Sequence, residues 1–305
     1  MNRFVAIGEC MMELSGAGQP DLWRMGVAGD TLNTAWYARA RLDADWGVDY
    51  FTRLGTDPFS DRVIQFLADN RLGTDHIARD PVRGPGLYAI TLKEGERSFT
   101  YWRGQSAARH LADDQTALAA ALDGATVAYL SGITLAILSP AGRTRLRSAL
   151  AQVRAQGCLV AFDTNYRPRL WEDVATARAE TKALLAMCDI VLPSADDDQA
   201  LFGDADADAT AARCRAAGVP EGAVKNAGGV VHWWAVGASG TIDDLPRVKP
   251  VDSTAAGDSF NGSYLAARLA GLSPEAAIRM AHRVASAVIG VPGALMPMDE
   301  ARRAG

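Results

Sequence analysis

Four short apolar runs, rich in β-branched or aromatic residues, set a regular beat through the middle of the chain. They end at Ser131 (TVAYLS), Asp163 (CLVAFD), Pro193 (CDIVLP) and Lys225 (GAVK), at intervals of 32, 30 and 32 residues. Such an interval holds one strand and the crossover helix that a parallel pair requires. Helix starts fall where the beat needs them. Ser139-Pro140 supplies an N-cap and a proline at the first helical position, with Leu146, Leu150 and Val153 following on one face. Ser273-Pro274 opens another helix with Ile278, Ala281, Ala285 and Val288 inward, and Pro58 opens a third with Phe59, Val63, Phe66 and Leu67 at helical spacing. The pattern predicts an α/β fold around a mainly parallel sheet covered on both faces. Ligands of such sheets bind beyond the carboxyl ends of the strands, and Asp163, Asn165, Arg167, Ser194 and Lys225 all gather there.

Residues 82–103 break the rhythm. Gly84-Pro85-Gly86 leads into LYAITL, the polar turn Lys93-Glu94-Gly95-Glu96, and then SFTYWR. Two β-rich runs around a short polar turn read as a hairpin. It is either a lid that excludes water from a reaction or an edge extension of the main sheet, and the residues alone leave both open.

A chain of 305 residues suits one large domain and can bury its core without disulfides or metals. The formal net charge of −5 offers no general basic surface for nucleic acid or an anionic membrane, so anionic ligands need local positive partners. Cys10, Cys158, Cys188 and Cys214 are scattered without metal-ligand spacing and read as reduced thiols. Glu9 interrupts the first apolar run, and no stretch approaches the roughly 20 apolar residues of a membrane span. The expectation is a cytoplasmic protein.

The most informative segment is Asp252-Ser-Thr-Ala-Ala-Gly-Asp258, followed by SFNGSYLAARL. Phe260, Tyr264, Leu265, Leu269 and Leu272 recur at helical spacing, so a helix begins near Ala256. Small residues at Ala255, Ala256 and Gly257 let backbone N–H groups approach a ligand, and a helix N-terminus with open donors suits an anion. Phosphoryl transfer needs such a place, because charge spreads over the transferring oxygens. Asp258, in the first turn, can accept the proton of an attacking alcohol; on its own it also reads as a cap.

The run DSTAAGDSFNGSYL resembles the C-terminal signature of the ribokinase-like carbohydrate kinases. The N-terminal signature of that family is matched by Gly26-Val-Ala-Gly29-Asp30-Thr-Leu-Asn33-Thr-Ala35. The resemblance implies a three-layer α/β sandwich over residues 1–305, with lid segments near 11–26 and 82–104 through which related kinases often pair. It implies Asp258 as the catalytic base, an anion hole from Ala255, Ala256 and Gly257, and sugar contacts from Gly29, Asp30 and Asn33. The segments GECMMEL, AGDTLNTA, GLYAITL, TYWR, YLSGITLAILSP and FDTNYRPRLW are similar to the branch of 2-keto-3-deoxygluconate kinases. That branch implies Tyr88, Arg103 and Arg167 as substrate contacts, the arginines on the acid's carboxylate, as a guanidinium fork suits. The implied reaction carries the ATP γ-phosphate to the C6 hydroxyl, with Mg²⁺ on the nucleotide. Asn165, Ser194, Lys225, Gly228, Gly257 and His282 are the implied nucleotide contacts; for His282 a core or rim role stays equally open.

Three positions depart from the family pattern. The small pair after the signature asparagine is Gly262-Ser263 rather than Ala-Gly. The place of an Asn-x-x-Glu pair reads Ser194-Ala-Asp-Asp197 with Asp198 beside it, so no metal contact is assigned. A family glycine falls on Ala227, leaving Gly228 or Gly229 to approach the nucleotide, and this change is expected to weaken nucleotide binding most. Asp204-Ala-Asp206-Ala-Asp208 imitates a calcium loop but lacks its glycine and glutamate, and reads as a loop and helix start. Another sugar kinase such as a fructokinase, or a catalytically silent sugar-binding protein, are the alternative readings.

Overall fold

In the computed structural model, which describes residues 2–19, 21–93 and 96–305, the expected beat becomes an eight-stranded sheet. Its order is Ala238–Ile242, Val231–Ala235, Glu221–Val224, Ile190–Val191, Leu159–Asp163, Val127–Ser131, Arg3–Ile7 and Gly47–Phe51. Six strands are parallel; Val231–Ala235 and Ala238–Ile242 return antiparallel at one edge.

Side chains alternate along each strand, so the sheet feeds two cores. Val5, Ile7, Ala128, Leu130, Val160 and Phe162 pack under the helices Gln115–Leu122, Pro140–Ala155 and Val174–Leu185. Phe4, Ala6, Val127, Tyr129 and Ala161 face the helices Asp30–Arg41, Pro58–Asp69, Ala256–Leu269 and Pro274–Val288. Helices on both faces make the three layers. All four cysteines are buried and free. Among the described residues no helix is long and apolar enough to cross a membrane.

The capping signals act as read. Ser139 accepts from the Gly142 N–H at 3.1 Å and Ser273 from the Ala276 N–H at 3.3 Å. Asp57 caps the helix that Pro58 opens, and Val63 and Leu67 are buried there. Phe59 departs from the expected face: in the first turn it is 51% exposed. Asp206 caps the helix Ala207–Ala216 by accepting from the Ala209 N–H at 2.9 Å, and Asp204 pairs with Arg213, which accounts for the calcium-loop imitation.

The hairpin does not extend the main sheet. Gly86–Lys93 and Glu96–Trp102 join Met11–Gly16 and Trp23–Ala28 in a separate four-stranded sheet. Residues 94 and 95 of its turn lie outside the described residues. Gly262 brings the two signature helices together: a Cβ there would stand 2.3 Å from Thr34 O, so the Ala256–Leu269 and Asp30–Arg41 backbones meet directly. The hydroxyl of Ser263, the second departure in that pair, is buried without a partner among the described residues.

Candidate active site

The helix Ala256–Leu269 begins from Ala255, whose φ of 61° lies in the left-handed region. Its first intrahelical bond runs from the Ser259 N–H to Ala255 O at 2.9 Å. The donors ahead of that bond have no helical acceptor. The Ala256 N–H is nonetheless taken by Ser253 O at 3.3 Å, so the small-residue run does not offer all its donors. Among the described residues no acceptor lies within reach of the Gly257 N–H. Asp252, 4% exposed, fixes the approach loop by accepting from the Thr254 hydroxyl at 2.7 Å and the Gly293 N–H at 2.5 Å.

Asp258 is half-buried one turn into this helix. Asn33 Nδ2 donates to its Oδ2 at 2.8 Å, while Asn33 Oδ1 accepts from the Gly29 N–H at 3.4 Å. Burial, and next the carboxylate of Asp30, hold the Asp258 pKa well above the usual carboxylate range; the Asn33 hydrogen bond and Lys225 oppose them. Asp30 itself is raised by burial, against a hydrogen bond from Ser131 and the charge of Arg103. A half-buried carboxylate kept basic, with an anion-binding turn beside it, is suited to remove a proton from an alcohol.

Lys225 leaves its strand 2.7 Å from Asp163 Oδ2 and 3.0 Å from Asn261 Oδ1. Asn261 Nδ2 donates to Asp163 at 2.7 Å and to Tyr129 OH at 3.1 Å. Thr34 Oγ1 lies 3.2 Å from Tyr129 OH and 3.3 Å from Asp258 O. A buried polar chain therefore runs from Lys225 to the backbone of Asp258, and such networks hold their members rigidly when all are satisfied.

A cavity of about 430 Å³ opens beside this network. Ser194, Lys225, Gly228, Gly257 and His282 line it together with Ala256, and Val231, Leu245, Phe260 and Ile289 form an apolar wall. The size and the mixture suit a nucleotide base with a polar end. His282 acts at the rim: its Nε2 meets Pro246 O at 2.7 Å and so holds the loop that walls the cavity. The turn after Lys225 passes through Ala227 at φ 42° and Gly228 at φ 81°. The position where the family glycine is replaced is thus one where a Cβ is strained.

Other expected contacts are placed differently. Asn165, expected at the nucleotide, does not line the cavity; with φ 28° it turns its amide to Asp30 Oδ2 at 2.9 Å. Asparagine tolerates that backbone better than most residues. Tyr88 donates a short hydrogen bond to Glu13, its neighbour across the second sheet. Arg103 is bound by the buried Glu9. Arg167, half exposed, binds Asp197 at 2.9 and 3.1 Å, so Arg103 and Arg167 each hold an acidic partner of the chain. Of the acidic cluster after Ser194, Asp198 is buried against Thr164 and Arg213, and Asp196 faces the cavity. Glu9, Glu13, Tyr129, Ser131 and Asn261 escaped the sequence reading. For the first four the one signal was a polar residue within or just after a strand, whereas Asn261 stands in the helix Ala256–Leu269, three residues after Asp258.

The match to the pfkB family carbohydrate kinases covers residues 1–301, and the chain belongs to that family. It is 41% identical to the 2-dehydro-3-deoxygluconokinase of Escherichia coli K12, over 97% of this chain and 98% of that protein. Its fold is shared by a putative Ribokinase II from E. coli solved in complex with ATP and Mg²⁺, with a TM-score of 0.85 at 22% identity, covering 100% of this chain and 99% of the other. The 2-dehydro-3-deoxygluconokinase of Thermotoga maritima superposes with a TM-score of 0.83 at 21% identity, covering 99% of each chain.

Proposed function

We propose that this kinase transfers the γ-phosphate of ATP to the C6 hydroxyl of 2-keto-3-deoxygluconate (2-dehydro-3-deoxygluconate), with Asp258 as the base. The carrying observation is the position of Asp258: basic, half-buried, held by Asn33, and one residue from the open Gly257 N–H at the cavity edge. ATP lies in that cavity, with its base against the apolar wall and its phosphates toward Lys225 and Gly257. Asp258 takes the C6 proton as the hydroxyl attacks, and the open N–H groups stabilise charge on the transferring phosphoryl oxygens, each worth about 3 kcal/mol by analogy with oxyanion holes.

Mg²⁺, when bound with the nucleotide, would neutralise charge on the phosphates, and its remaining waters would be held by the chain. Asp196 is the carboxylate suited to hold those waters, since Asp197 is bound to Arg167 and Asp198 to Arg213. The second sheet acts as a lid over the acceptor. Tyr88, Arg103, Arg167 and the Gly29–Asn33 turn bind the sugar acid, with the two arginines on its carboxylate. Trp23 and Trp102 are exposed on this sheet, an apolar surface on which a second copy of the chain pairs.

The test is a coupled ADP-release assay with Mg-ATP on 2-keto-3-deoxygluconate, its galactonate epimer, fructose and ribose. The proposal expects turnover confined to the keto-deoxy acids. Preference for fructose would leave Asp258 in place and overturn the substrate.

A further inference from the structure

Glu9 lies just past the first strand of the main sheet and is 1% exposed. A buried carboxylate is costly unless it is paired and hydrogen-bonded. Its pair is Arg103, which follows the last strand of the second sheet: Glu9 Oε2 accepts from Arg103 Nε at 2.8 Å and from Nη2 in a shorter bond. One oxygen thus takes one edge of the guanidinium, while Oε1 is buried without a partner among the described residues. Among the same residues Nη1 has no acceptor, and the charge of Arg103 is felt at the carboxylate of Asp30. The backbone of Glu9 is fixed as well. A Cβ on Gly29 would stand 2.3 Å from Glu9 O, so the turn that starts the sugar-binding helix rests directly on this residue. On the other side a Cβ on Gly86 would stand 2.7 Å from Glu9 Oε1 and 3.1 Å from Arg103 Cβ. Glu9 therefore touches the main-sheet exit, the Gly29 turn and the arginine of the second sheet at once.

We infer that Glu9 is a positioning residue for the acceptor: it anchors one edge of the Arg103 guanidinium so that the other edge meets the substrate carboxylate at a fixed distance from Asp258. The inference rests on the substrate reading above. It explains why a buried carboxylate stands beside an arginine that must bind an anion. Charge alone would favour leaving Arg103 unpaired, whereas geometry favours holding it, because misplacement by about 1 Å can cost on the order of a hundredfold in rate.

The experiment is a kinetic double-mutant cycle with Glu9→Gln, Arg103→Ala and the pair, on Mg-ATP and 2-keto-3-deoxygluconate. Glu9→Gln is expected to raise KM for the acid about tenfold and to lower kcat with it, with KM for ATP within about twofold. In the Arg103→Ala background it should add nothing. Gly86→Ala carries no charge change, and glycine has no positive φ there to lose. By crowding Glu9 and Arg103 it should raise the same KM, which keeps the test open if Glu9→Gln folds poorly. Additive effects of Glu9 and Arg103, or equal losses for ATP and acid, would overturn the positioning role. A wild-type enzyme inactive on the acid would overturn the substrate reading and this inference with it.

Discussion

Asn33 Nδ2 donates to Asp258 Oδ2 at 2.8 Å, joining the first helix of the chain to the first turn of the helix that carries the base. This bond lowers the Asp258 pKa, and the nearby Asp30 carboxylate raises it. The acid limb of kcat is therefore expected above the ordinary carboxylate range. Asp30→Asn should move that limb to lower pH, and Asn33→Ala should move it higher. A pH profile of kcat in both variants checks the pair of signs; shifts in the same direction would contradict it.

Asp258 also has a stability consequence. Its folded-state pKa is raised, so its contribution is fully present below the unfolded pKa of about 3.9 and is lost as pH rises through the folded value. Asp258→Asn removes that loss. Thermal denaturation should show the variant a few degrees more stable than wild type at pH 8, with the difference shrinking toward pH 4. A variant less stable at pH 8 would remove the electrostatic account.

The strand-and-helix beat was legible because hydrophobic alternation and Ser-Pro starts are local signals. Val127–Ser131 and Leu159–Asp163 end on the residues expected, and the last two strands escaped because His232 and Gly240 blur their pattern. Of the cavity residues named in advance, Ser194, Lys225 and Gly228 follow a strand and Gly257 starts a helix at the same end of the sheet, while His282 reaches the cavity from the middle of the helix Pro274–Val288. The partners of the arginines were not legible. Glu9 and Arg103 stand 94 positions apart, and the pairing depends on how two separate sheets meet. Asn165 read as a nucleotide contact from its place after a strand; its positive φ, invisible in the sequence, turns it to Asp30.

Arg167 binds Asp197, so a bound sugar acid competes with that carboxylate for it. Arg167→Ala is expected to raise KM for the acid by about tenfold or more, since charge-assisted hydrogen bonds contribute about 1.5–3 kcal/mol. Asp197→Asn, which releases the arginine, should leave that KM unchanged or lower it. Initial-rate kinetics at saturating ATP separate the two; an unchanged KM in Arg167→Ala would assign this arginine to Asp197 alone.

Ala227 holds φ 42° where glycine is at ease. Ala227→Gly relieves the contact of its Cβ with its own backbone and is expected to stabilise the protein by about 0.5–1 kcal/mol, after the larger unfolded-state entropy of glycine is set against it. Nucleotide affinity should rise with it. Calorimetric titration with ATP and thermal melts of the variant check both effects, and a destabilised variant would argue that the methyl group packs against something that needs it.

The central claim is that Asp258 takes the proton of the acceptor hydroxyl. The most direct measurement is kcat of Asp258→Asn on 2-keto-3-deoxygluconate, alongside calorimetric binding of the acid and of ATP to the same variant. The account predicts binding within a few-fold of wild type and kcat lower by about 10²–10⁴. Near-normal turnover with intact binding would contradict it and leave Asp258 as the partner of Asn33 alone.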